Sequence, residues 1–132
     1  MYLRFITRFI NEEDKPQTGI FNAMGFIRDH KSTLDEDELI LKDLYVWFKN
    51  HLDVPHWYIN EDREYGVRSK AFSWFKDSAR EHILKINDSI IVLEKYNLIV
   101  ERVTSKNPGT IVYEDEFQIA AIPFKWQHKI IK

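Results

Sequence analysis

A chain of 132 residues is the size of one ordinary domain, and its 44% apolar and 14% aromatic content can bury a sizeable core, which argues against a disordered chain. Its 19 basic and 21 acidic residues leave a net charge of −2, so no global field steers it toward nucleic acid or an acidic membrane. Cysteine is absent, which excludes disulfides, thiolate metal sites and cysteine nucleophiles and fits a reducing, cytoplasmic setting.

The chain opens on MYLRFITRFI. Arg4 and Arg8 interrupt the apolar run and no small-residue cleavage site follows, so these residues predict a strand rather than a signal peptide. Leu3, Phe5, Thr7 and Phe9 share one face of that strand; Tyr2, Arg4, Ile6 and Arg8 share the other. Residues 11–19 are charged and broken by Pro16 and Gly19, which reads as a loop. Ile20, Phe21, Met24 and Ile27 then repeat at helical spacing, predicting a short helix over about 18–29.

A second helix is expected to start at Thr33. Thr33-Leu-Asp-Glu36 matches a capping box, in which the threonine hydroxyl accepts from the N–H of residue 36. Asp35 to Glu38 suit the positive end of the helix dipole. Leu34, Leu41, Leu44, Tyr45, Phe48 and Leu52 form its apolar stripe, with Ile40 and Trp47 at the edge. Pro55 requires an end near His51 or Leu52. Residues 53–69 hold no period and read as a long loop carrying His56, Trp57 and Tyr58.

The clearest unit is residues 70–104. Lys70 to Lys76 reads as a strand, a capping box at Ser78-Ala-Arg-Glu81 opens a helix that runs to about Tyr96, and residues 98–104 read as the next strand. Ala79, Ile83, Ile86, Ile90 and Leu93 form the helix's seam, widened by Leu84 and Ile91, and Asn97 is its stop. If the two strands share a sheet, the connection is a parallel, right-handed crossover. Pro108-Gly109 marks a turn, residues 110–113 and 117–122 read as strands, and Glu114-Asp-Glu116 is a turn or a bend between them. The tail, 124–132, is basic. The predicted architecture is one α+β (or α/β) domain over 1–132: a small mixed sheet with about three helices, in the order β-α-α-β-α-β-β, with a possible extra strand.

Several of these stretches, taken together, carry a resemblance. Residues 2–7 with their arginine, Gly19-Ile-Phe21, Trp47-Phe48 before His51-Leu52, Ser73-Trp-Phe-Lys76 with Ala79 and His82, and Val112-Tyr-Glu-Asp115 with Gln118 and Pro123 resemble a family of small uncharacterised bacterial proteins. The resemblance spans most of the chain and implies a bacterial source and a shared fold. It transfers no activity. Residues 60–69 and the tail after Pro123 look peculiar to this chain.

Three groups carry candidate chemistry. The first is the strand-to-helix junction: a helix N-terminus favours anions, and Lys76, Ser78 and Arg80, assisted by Arg4, are the candidate ligand-binding residues for a small anionic or nucleotide-like molecule. The second is the acidic run, where Glu114 and Asp115 are candidate catalytic carboxylates and an acidic turn is the plainer reading. The third is histidine: His82 is a candidate general base, whereas His51 and His56 match no metal-ligand spacing, so no metal site and no cofactor are expected. Trp57, Tyr58, Trp74 and Trp126 can stack on bases, but the missing basic face argues against nucleic acid. No glycine-rich phosphate loop or serine elbow is present. No apolar run reaches the roughly 20 residues that cross a bilayer. The function expected is therefore a small cytoplasmic binding or regulatory domain acting through protein–protein contacts, including with itself, with Trp57 and Tyr58 as contact residues. The alternative is an anionic-ligand binder or enzyme at the Lys76–Glu81 junction.

Overall fold

A computed structural model describes residues 1–55 and 71–124. Among them are six strands and three helices: β1 (Tyr2–Ile10), β2 (Pro16–Gly19), α1 (Ile20–Arg28), α2 (Asp35–His51), β3 (Phe72–Lys76), α3 (Arg80–Lys95), β4 (Glu101–Ser105), β5 (Thr110–Glu114) and β6 (Gln118–Ile122). The α+β class expected from the sequence is the one observed. The strands pair in the order β2-β1-β3-β6-β5, with β4 also on β1, and the sheet is antiparallel. No helix among the described residues is long and apolar enough to cross a membrane.

The chain forms two compact units, one of residues 1–4, 52–80 and 104–132, the other of residues 5–51 and 81–103. In the first, β6 is buried along its whole length, since Ala120 and Ala121 leave room for cover on both faces. It pairs with β3 from Phe72↔Ala121 to Phe75↔Gln118 and with β5 from Thr110↔Ile122 to Glu114↔Ile119. Gly109, just before β5, has φ of +147°, and a Cβ there would lie 2.0 Å from the Ile122 carbonyl oxygen, so the close approach of the two backbones requires glycine. The acidic run ends β5 at Glu114 and turns the chain through Asp115 and Glu116 into β6; it is not a bend in one strand.

In the second unit β1 buries Phe5, Thr7 and Phe9, the face its alternation predicts. Phe9 meets Phe26 of α1, and Phe21 packs edge-on against Phe48 of α2. Residues 16–19 are a strand where a loop was expected. Asn11 makes the turn: its side-chain oxygen accepts from the N–H groups of Glu13 and Lys15, and Asp14 takes positive φ, which returns the chain alongside β1. At the other end, Asn97 stops α3 as expected, with φ of +66° and the Leu98 N–H bonded to the Leu93 carbonyl.

Four local expectations are corrected. The Thr33 hydroxyl donates to the Ile27 carbonyl, so it fastens α1 instead of capping α2. Ser78 lies in the turn before α3, which begins two residues further on; the Arg80 N–H bonds the Ser78 backbone carbonyl. Leu34 just before α2, Tyr45 of α2, and Leu84 and Ile91 of α3 are exposed, not part of the buried stripes. Finally, β3 and β4 share the sheet but do not pair with each other; each pairs with β1.

Candidate functional site

The junction after β3 brings two of the predicted residues together. Lys76 Nζ lies 2.6 Å from Glu114 Oε2, with the lysine largely covered and the glutamate half exposed. The pair satisfies both charges, so an anion at the start of α3 would have to displace Glu114 from Lys76. Asp77 faces the N-terminal ammonium at 3.8 Å, and Ser78 and Arg80 are exposed beside it. The Arg4 guanidinium lies over the Phe72 ring, 4.0 Å from its centre.

Asp115 is the centre of the β5–β6 turn. It accepts from the N–H groups of Phe117 (2.8 Å) and Gln118 (3.0 Å), from Gln118 Nε2 (3.1 Å) and from the Tyr113 hydroxyl (2.8 Å). Burial pushes its carboxyl up, but these donors together outweigh that and hold it below the ordinary carboxylate range. The hydrogen bond to Asp115, with burial, pushes the Tyr113 hydroxyl up to about 12. Gln118 Nε2 also donates to the Asp53 carbonyl at 2.6 Å, which ties the chain after α2 to the same turn. An acid held ionised by so many donors is built to shape a turn.

His82 belongs to the other unit. It is only 3% exposed, and its Nε2 lies 2.7 Å from the His51 carbonyl. A carbonyl only accepts, so Nε2 carries the proton and is engaged as a donor. The ring packs on Trp47 and Phe48, while His51 stacks on Trp47 at 4.3 Å and Lys85 Nζ lies 5.6 Å from the Trp47 ring centre. This cluster joins the end of α2 to the start of α3.

The opposite ends of the two helices are joined by a group the sequence reading missed. Asp37 is 0% exposed; it accepts from the Tyr96 hydroxyl at 2.6 Å and from Lys95 Nζ at 3.0 Å. Tyr96 in turn accepts from the Leu34 N–H at 3.0 Å, so a tyrosine from the end of α3 completes the start of α2. The hydrogen bonds from Tyr96 and then Lys95 hold Asp37 below the ordinary carboxylate range. With contacts crossing at both ends, α2 and α3 run antiparallel. Their buried stripes are Asp37, Leu41, Leu44 and Phe48 on one and His82, Ile86, Ser89, Val92 and Leu93 on the other. The shared spacing of these stripes was the signal for Asp37.

The sides opposite these stripes carry large aliphatics. Leu39 and Val46 of α2 are 60% and 53% exposed; Leu84 and Ile91 of α3 are 63% and 65% exposed. On each helix the two residues stand two turns apart and form one outward ridge. Single exposed aliphatics are ordinary, but aligned pairs on neighbouring helices are a surface feature.

Among the described residues, no group of three or more histidine, aspartate or glutamate side chains could hold a metal ion. His56, Trp57, Tyr58 and Trp126, with the basic tail from Lys125, lie outside the described residues. Comparison with protein-family models, with curated proteins and with solved structures finds no match.

Proposed function

We propose that the chain is a small binding or regulatory domain that works through protein–protein contacts made by the outward faces of α2 and α3. One observation carries this reading: Leu39, Val46, Leu84 and Ile91 stand opposite the buried stripes of helices that are already fixed to each other at both ends. Rigid helices that present aliphatic ridges lose little conformational freedom on docking. A bacterial source is part of the proposal, supported by the resemblance carried by the Trp-Phe-Lys and Tyr-Glu-Asp stretches, and a cytoplasmic setting by the cysteine-free sequence. The anionic-ligand reading has weaker support, because Lys76 already holds Glu114 at 2.6 Å.

The test is affinity capture with the wild-type chain, with L39D/V46D and with L84D/I91D, under conditions where all three melt alike. A specific partner, or the chain itself, should be retained by the wild type and lost at least about tenfold by one of the variants. Identical capture by all three chains, with no self-association, overturns the proposal.

A further inference from the structure

The outward ridge of α3 is bordered by two rows of exposed polar side chains that repeat at the spacing of the ridge itself. Arg80, Asn87 and Glu94 run along one flank and Glu81, Asp88 and Lys95 along the other, with Leu84 and Ile91 between them. Each row is cationic at one end and anionic at the other. Arg80 and Glu94 also oppose their own helix: a cation stands at its positive N-terminal end and an anion in its last turn, where the reverse is favoured. Both charges are better placed beside a helix that runs the other way.

Two antiparallel helices related by a twofold axis, perpendicular to the plane that contains both, lay each flank along the same flank of the other copy, run in reverse. With the axis between Asn87 and Asp88, Leu84 meets Ile91, Arg80 meets Glu94 and Glu81 meets Lys95, each pair occurring twice. Asn87 meets Asn87, where two amides can bond each other. Asp88 alone meets its own charge. Lys95 already donates to Asp37 at 3.0 Å, but its side chain is 50% exposed and an ammonium carries further N–H groups for Glu81 of a second copy.

The same operation on α2, with the axis between Lys42 and Asp43, brings Leu39 onto Val46 as well. Its rows are Asp35, Lys42 and Lys49 on one flank and Glu36, Asp43 and Asn50 on the other. Lys42 then meets Lys42 and Asp43 meets Asp43, and only Asp35 with Lys49 attracts. Like charges on both sides of the centre oppose association, so the ridge of α3 is the self-complementary one.

We infer that the exposed face of α3 is a self-association surface, taking α3 of a second copy of this chain in an antiparallel, twofold arrangement with Leu84 and Ile91 at its centre. This rests on the protein-contact reading above and names the occupant of one of its two ridges. The end pairs lie about 10 Å along the helix from the axis, and at a crossing of roughly 20° they stay within reach of each other. One helix per copy makes a small interface, so the association is concentration-dependent.

Sedimentation equilibrium of the full chain tests this. The average mass should rise from 15.9 kDa toward twice that value over about 10 µM to about 1 mM. I91E should remain monomeric to the top of that range with an unchanged melting curve, because Ile91 faces out of the core. R80E alone and E94R alone should each weaken association about tenfold, by facing like charges twice across the axis. The double variant R80E/E94R should restore it. D88N, which removes the one facing pair of like charges, should strengthen it about threefold, and V46E should leave it unchanged. A wild-type chain that stays monomeric, an association indifferent to I91E, a double variant that stays weak, or a D88N chain that associates less than wild type overturns the self-pairing. A monomer that still captures a partner through either ridge overturns only the self-pairing, whereas the wider reading falls on the capture experiment.

Discussion

The two units solve one problem with the same pair of side chains, at opposite ranges. Asp115 holds its turn with a tyrosine hydroxyl and nearby N–H groups, all from residues no more than three positions away. Asp37 holds the start of α2 with a tyrosine hydroxyl and an ammonium supplied 59 and 58 residues later in the chain. The local carboxylate shapes a hairpin that neighbouring residues could fold by themselves. The remote one is satisfied only when two helices have docked. A carboxylate bonded to a tyrosine is therefore a local device in one unit and a tertiary device in the other.

Removing each acid should separate the two cases. D37A leaves Lys95 and Tyr96 without their shared acceptor and unties the start of α2, so the melting temperature should fall by about 10 °C or more, with protection of α2 and α3 amides lost together. D115A should cost less, about 2 kcal/mol by urea denaturation, and the loss of amide protection should be confined to the β5–β6 turn. Equal and global effects of the two substitutions would erase the distinction.

Acid should act on both. Each carboxyl is held low in the folded state, so its contribution is complete above the unfolded value of about 3.9 and is lost as pH falls through the lower folded value. Stability followed by circular dichroism should thus begin to fall below about pH 4, and less steeply in D37A or D115A than in wild type. Alkali acts on both as well, since the bonds to Asp37 and Asp115 raise Tyr96 and Tyr113 alike: Tyr113, raised to about 12, contributes stability that is present below the unfolded value of about 10 and lost as pH rises through the folded one. One tyrosine ionising near 12 should appear in an ultraviolet titration, disappear in Y113F, and cost about 1 kcal/mol when removed.

The smallest effect has the opposite sign. Thr7 is buried on the inner face of β1 with a hydroxyl that finds no hydrogen-bond partner among the described residues. Its isosteric replacement, T7V, removes that unmet demand without opening a cavity and should stabilise the fold by about 0.5–1 kcal/mol in the same urea experiment. A destabilised T7V would show that the hydroxyl is satisfied in solution.

What could be read from the sequence follows the same division between near and far. The buried face of β1, the Asn97 stop, the Gly109 turn and the acidic hairpin were legible because each depends on side-chain alternation or on a few adjacent residues. The strand at 16–19 was not, since Pro16, Gln17, Thr18 and Gly19 carry no period and owe their position to Asn11. The Thr33 and Ser78 motifs misled because each has the right local letters, while the Thr33 hydroxyl is claimed by Ile27 and α3 starts beyond Ser78. The centre of the α3 seam was legible, since Ala79, Ile86 and Leu93 are buried, but Leu84 and Ile91, expected to widen it, are exposed, and only the docking of His82 and Ser89 shows which way the stripe widens. Of the candidate site, Lys76 and Glu114 do meet, although 38 positions of sequence separate them and the reading set them in different groups.

The bond between Tyr96 and the start of α2 has a consequence for how the chain is made. On the ribosome Asp37 is added 59 residues before Tyr96. The first turn of α2 then carries Asp35, Glu36, Asp37 and Glu38 with no tyrosine to complete them. That turn should fray until the last third of the chain emerges, and the growing polypeptide gains a firm α2 only when its partner helix has been translated.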